Sequence, residues 1–218
     1  MKKTFFLVLL IAGAAFVFAQ SGVIRELTGE VELKPAGASA FVPAVAGSPV
    51  ALDTIVSTGF KSTAIIAVGS SVITVRPLTR LSLAEIQSTS GTENINVNLQ
   101  AGRVKVDVKP PAGTRTNFTV QSPSATASVR GTGFEFDTFN LKVNEGKVAF
   151  QGKNGMPMMV HAGRTSHVGR DGNAVNPVET EKGSLEPPPV AGPETGGGTG
   201  GALSSSPEGE LDLALSYK

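Results

Sequence analysis

Arg130 offers the most specific chemistry in this chain of 218 residues. Its guanidinium presents five donors in a fixed planar fork, and it stands between Val129 and the run Gly131-Thr132-Gly133-Phe134. Two roles stay open. The arginine grips a carboxylate, phosphate or sugar acid of a ligand, or it bridges local carbonyls or an acid such as Glu135 and holds a kink. Gly131, Thr132 and Gly133 do not read as a phosphate cradle. Such a loop opens a helix and usually brings a lysine, whereas Phe134-Glu135-Phe136 reads as strand. His161 and His167 are the only histidines and flank an expected turn at Ala162-Gly163. A metal there would need further ligands, and Asp171 is the nearest acid, so no metal or cofactor is expected. Lys105, Asp107 and Lys109 share one wet strand face, the pattern of a solvated strand kept soluble by alternating charge. No serine has a nucleophile-elbow pattern, and no catalytic residue is assigned. Asn117-Phe118-Thr119 matches a glycosylation acceptor and is read as incidental.

The elements that must position Arg130 are strands. Along Ser122–Asp137 the apolar residues fall on odd positions at Ala125, Ala127 and Val129, then on even positions at Phe134 and Phe136. Successive strand residues face opposite ways, so a parity flip is a register slip. The expectation is two strand pieces joined by a bulge or tight kink at Gly131–Gly133. Elsewhere Asn94–Gln100 and Gly102–Lys109 alternate with one dry and one wet face. Ala64–Val68 and Val72–Val75 are apolar on both faces, as central strands are, and Gly69-Ser70-Ser71 reads as the hairpin between them. Helical periodicity is almost absent. Residues 20–183 therefore read as one all-β domain of many short strands, solenoid-like or sandwich-like. A weak echo favours the solenoid: Gly29-Glu30-Val31-Glu32-Leu33, Gly102-Arg103-Val104-Lys105-Val106 and Gly146-Lys147-Val148-Ala149-Phe150. Any strand leaving a glycine turn would look similar.

The two ends differ in kind. Lys2 and Lys3, the apolar Phe5–Phe18 and the small residue Ala19 form a secretory signal over residues 1–19, cleaved before Gln20. The apolar run is shorter than the ~20 residues of a spanning helix. Its removal leaves 17 basic and 18 acidic residues, a net charge of −1. That balance argues against nonspecific nucleic-acid binding. The chain has no cysteine, hence no disulfide, thiolate metal site or lipid-anchored N-terminus. Residues 184–207, with eleven Pro or Gly in 24 positions, read as a disordered linker. In the short segment 208–218, Leu211, Leu213, Leu215 and Tyr217 alternate with Asp212, Ala214 and Ser216. It is a frayed tail or an added strand that makes a partner contact.

The order of motifs along Gly22–Val175 resembles the FecR family of bacterial envelope proteins. The resemblance runs through Gly29-Glu30-Val31, Leu52–Gly59, Ser62-Thr63-Ala64, Leu99–Val104, Ser122–Ala125, Val129–Phe134, Val143–Val148 and Ala162-Gly163. It implies an all-β fold with solenoid-like character. The family's best-known members join a cytoplasmic anti-sigma segment, one transmembrane helix and this periplasmic domain. Here an export signal stands first, so the sigma-regulating activity is not carried over. The leading expectation is a non-catalytic, exported interaction or scaffold domain, periplasmic or secreted, whose partner is another envelope protein. It would carry no membrane span once the signal is cleaved. The alternative is an envelope sensor that binds a ligand or carbohydrate. An enzyme acting on polysaccharides ranks third: only eight aromatics lie outside the signal, none of them tryptophan.

Overall fold

The structure is a computed structural model that describes residues 21–177. The expected signal at 1–19, the linker at 184–207 and the terminal segment with Leu211, Leu213, Leu215 and Tyr217 lie outside the described residues. Among those described, the chain forms seventeen strands. They are β1 (Gly22–Thr28), β2 (Val31–Lys34), β3 (Val42–Pro43), β4 (Pro49–Val50), β5 (Ile55–Thr58), β6 (Thr63–Val68), β7 (Ser71–Val75) and β8 (Arg80–Thr89). There follow β9 (Thr92–Ala101), β10 (Arg103–Val108), β11 (Arg115–Gln121), β12 (Ala125–Val129) and β13 (Gly133–Asp137). The last are β14 (Asn140–Val143), β15 (Lys147–Gly152), β16 (Met158–His161) and β17 (Thr165–His167).

The strands build two open sheets. The first has eight strands in the order β17-β14-β13-β10-β7-β6-β1-β4, and the second has nine in the order β16-β15-β12-β11-β9-β8-β5-β2-β3. The chain lays down one or two strands in one sheet, crosses to the other, and advances along both. The all-β class expected from sequence is thus realised as two open sheets. Nearly every neighbouring pair is antiparallel, and the parallel pair β9–β11 arises because β10 lies between them in sequence but in the opposite sheet.

The inner faces meet in one core. Period-2 alternation turns Ala64, Ile66 and Val68 of β6 and Ile73 and Val75 of β7 inward. Both strands are interior to their sheet, joined by the two-residue turn Gly69-Ser70. Their outward Ile65, Ala67 and Val72 are half-buried. Phe134 and Phe136 enter the core from one sheet, Phe118 and Phe150 from the other. The rings of Phe136 and Phe150 meet edge to face, with centroids 6.1 Å apart, a favoured aromatic geometry.

Candidate functional site

The segment around Arg130 does not bulge within one strand. β12 belongs to the nine-stranded sheet and β13 to the eight-stranded one. The parity flip therefore marks a change of sheet: odd residues of β12 and even residues of β13 point into the same core from opposite sides. Register pairing alone cannot separate these cases, because a slip and a crossing leave the same trace in sequence. Gly131 turns the corner with φ 113, and a β-carbon there would press on Pro110 at 3.3 Å. Thr132 is buried, and its carbonyl accepts from Val108 N at 3.2 Å. Gly133 pairs with Asp107 at the start of β13, and Phe134 is fully buried.

Three corners repeat one device that sequence reading registered only as a weak echo. Gly29, Gly102 and Gly146 each stand where the chain changes sheet, and each lies against a buried hydroxyl, of Ser62, Thr79 and Thr132 respectively. A β-carbon at any of the three would collide with that hydroxyl. At two corners the next residue donates its backbone N–H to the hydroxyl: Glu30 to Ser62 Oγ at 2.8 Å, Arg103 to Thr79 Oγ1 at 2.9 Å. Thr79 then donates to the Arg103 carbonyl at 3.1 Å, and its own N–H reaches Thr58 Oγ1 at 3.0 Å. Thr58 in turn donates to the Arg76 carbonyl at 2.6 Å. Backbone groups that leave a sheet lose their ladder partners, and at these two corners the hydroxyls supply replacements. A second clasp joins the sheets at the β6–β7 turn, where Ser70 donates to Glu93 Oε2 at 2.7 Å.

The outer face of the eight-stranded sheet is a lattice of ion pairs. Arg103 meets Asp137 at 2.9 Å, Lys105 meets Asp107 at 3.4 Å, and Arg76 meets Glu135 at 4.0 Å. Glu135 is therefore the neighbour of Arg76, not of Arg130, and the expected local bridge from Arg130 to Glu135 is corrected: the two residues decorate different sheets. Arg130 is exposed. It shares a concavity of about 470 Å³ on the nine-stranded sheet with Asn117, Thr119, Ser128, Lys147 and Met159.

His161 and His167 end in different sheets, on β16 and β17. Among the described residues, no group of three or more His, Cys, Asp or Glu is placed to hold a metal ion. Asp171 accepts from Asn173 Nδ2 at 2.6 Å and from Asn173 N at 3.0 Å, which holds its carboxyl below the usual carboxylate range. This fixes the turn after β17.

At one end of the sandwich three large apolar side chains face solvent: Phe60 at 73%, Leu78 at 62% and Phe139 at 53% exposed. Leu78 and Phe139 rim a concavity of about 700 Å³ whose lining includes Arg76, Arg103, Asp137 and Asn140. Leu78 N donates to the Gly59 carbonyl at 3.2 Å, which brings the Phe60 turn alongside. Leu78 holds φ 55, a backbone region that branched side chains rarely enter. Sequence reading missed this surface, because its three residues are 18 and 61 positions apart and belong to separate connections.

Residues 53–149 match the family model described as FecR protein. No curated protein matches the chain. Two crystal structures of a candidate anti-sigma factor from Parabacteroides distasonis, at 1.65 Å and 2.50 Å, are similar at 16% identity with a TM-score of 0.45. The similarity covers 56% of this chain and 57% of that one, so the match spans just over half the length of that protein.

Proposed function

We propose that this chain, which carries a FecR domain over residues 53–149, is a non-catalytic interaction domain of the bacterial envelope that docks another envelope protein. The observation that carries the reading is the cluster of Leu78, Phe139 and Phe60 at one end of the sandwich. Exposed apolar groups set around a polar concavity are the composition of a protein-docking surface. Leu78 supplies an anchor held in a strained backbone, and the Arg103–Asp137 pair supplies a polar rim. The signal expected over residues 1–19 supports a location in the periplasm or outside the cell. The alternating Leu211, Leu213, Leu215 and Tyr217 provide a second contact. No helix among the described residues is long and apolar enough to cross a membrane.

The test is crosslinking in intact cells followed by capture of the chain. The wild type recovers one specific envelope partner. The doubly substituted Leu78→Asp/Phe139→Asp chain loses it while keeping its melting temperature, and deletion of Glu210–Lys218 weakens capture. Equal recovery by the wild type and the double variant, or no specific partner at all, overturns the reading.

A further inference from the structure

Three cations near the first concavity have acid partners, and two in a second concavity do not. On the eight-stranded sheet Arg76, Arg103 and Lys105 each stand within 4.0 Å of a carboxylate. On the nine-stranded sheet Arg130 and Lys147 line a concavity of about 470 Å³ to which no carboxylate contributes. Register brings these two cations together. Ser128 of β12 pairs with Ala149 of β15, the last pair of that ladder; Arg130 directly follows β12, Lys147 opens β15, and both line the same concavity. Lys147 itself pairs with His161 of β16. Glu85, the outward acid of β8, lies at the level of Thr119 but two strands away. Glu145, in the turn before β15, forms no ion pair with either cation within 4.0 Å.

We propose that this concavity binds a small oxyanion ligand, a carboxylate or phosphate carried on a hydroxyl-bearing body such as a sugar acid or sugar phosphate. Arg130 offers its planar fork to the oxyanion and Lys147 a point charge. Together they offer one anion two cations, neither of which stands within 4.0 Å of a carboxylate. The floor suits the body of the ligand. Asn117 gives Nδ2 to Asn94 Oδ1 at 2.8 Å, which leaves its own carbonyl oxygen to accept from a ligand hydroxyl. Thr119 and Ser128 share one hydrogen bond at 3.1 Å, so one hydroxyl proton remains to be donated. Met159 and Ala149 form an apolar wall for C–H groups. The volume falls in the usual range for small-molecule sites, about 300–1,000 Å³.

The test is an isothermal and NMR titration of the purified chain with glucuronate, glucose 6-phosphate and neutral glucose. At least one of the two anions binds saturably and perturbs the Arg130 and Lys147 amides, while glucose does not. Which anion binds assigns carboxylate or phosphate. Arg130→Gln and Lys147→Gln each weaken binding about tenfold or more, the effect of losing a charge-assisted hydrogen bond. Arg103→Gln, on the opposite face, leaves binding unchanged. Absence of saturable binding by both anions, glucose binding as well as they do, or indifference to both glutamine variants overturns the site. So does loss of binding in Arg103→Gln, or saturable binding of a short acidic peptide where neither sugar anion binds. The site is independent of the docking surface: Leu78→Asp leaves these titrations unchanged, and Arg130→Gln leaves partner capture unchanged.

Discussion

Thr79 shows how much one side chain does in a fold of this kind. It is buried, accepts from Arg103 N, donates to the Arg103 carbonyl, and receives support through Thr58. Replacing it by the isosteric Thr79→Val keeps the packing and removes the hydroxyl. Arg103 N then loses its partner in a part-buried corner, and the expected loss is about 1–2 kcal/mol. Urea denaturation reads it as a lower midpoint at unchanged slope. A midpoint within error of the wild type would mean that the hydroxyl ladder is dispensable. Arg130 is the contrasting residue. Its chemistry was legible in sequence, since a guanidinium beside a glycine corner is conspicuous. Its surroundings were not: Lys147 is 17 positions away, and only strand pairing brings it near.

At the scale of elements, the repeated unit is the corner rather than the strand. Many segments of this composition would alternate. What is particular is that Gly29, Gly102 and Gly146 let the backbone leave one sheet against a hydroxyl and enter the other. Gly102 is the tightest backbone case: an added β-carbon would lie 2.5 Å from Thr79 Cα and 2.7 Å from the Leu78 carbonyl oxygen. Neither atom belongs to a flexible side-chain end. Gly102→Ala is therefore expected to cost about 1–3 kcal/mol or more, through backbone shift and strain. A thermal melt checks this, and an unchanged melting temperature would show that the corner relaxes freely. The strands themselves were readable from alternation, including β9, β10 and the β6–β7 hairpin. The corners were not, because their glycines and hydroxyls are separated by 14, 23 and 33 positions.

At the scale of the molecule, a single core among the described residues runs between both sheets, and Phe136 and Phe150 touch across it. Phe136→Ala removes a fully buried ring and leaves a cavity; about 3–5 kcal/mol is expected to be lost. Because both sheets share that core, the unfolding transition should shift as one, with far-UV circular dichroism the appropriate probe. A biphasic melt would instead mean that the sheets unfold separately. Sequence alone determined the class of the fold, since period-2 alternation bounded by glycine and proline admits strands and little else. It also carried the match of residues 53–149 to the FecR family model, because such motifs are local turns and strand starts. Tertiary structure decided the rest. A change of parity does not say whether a strand slips or the chain changes sheet, and that choice rests on pairings made far along the chain. The β12–β15 pairing brings Arg130 and Lys147 to one concavity, and Leu78 and Phe139 come to another from separate connections. Both surfaces arise from residues far apart in sequence that meet only in the folded chain.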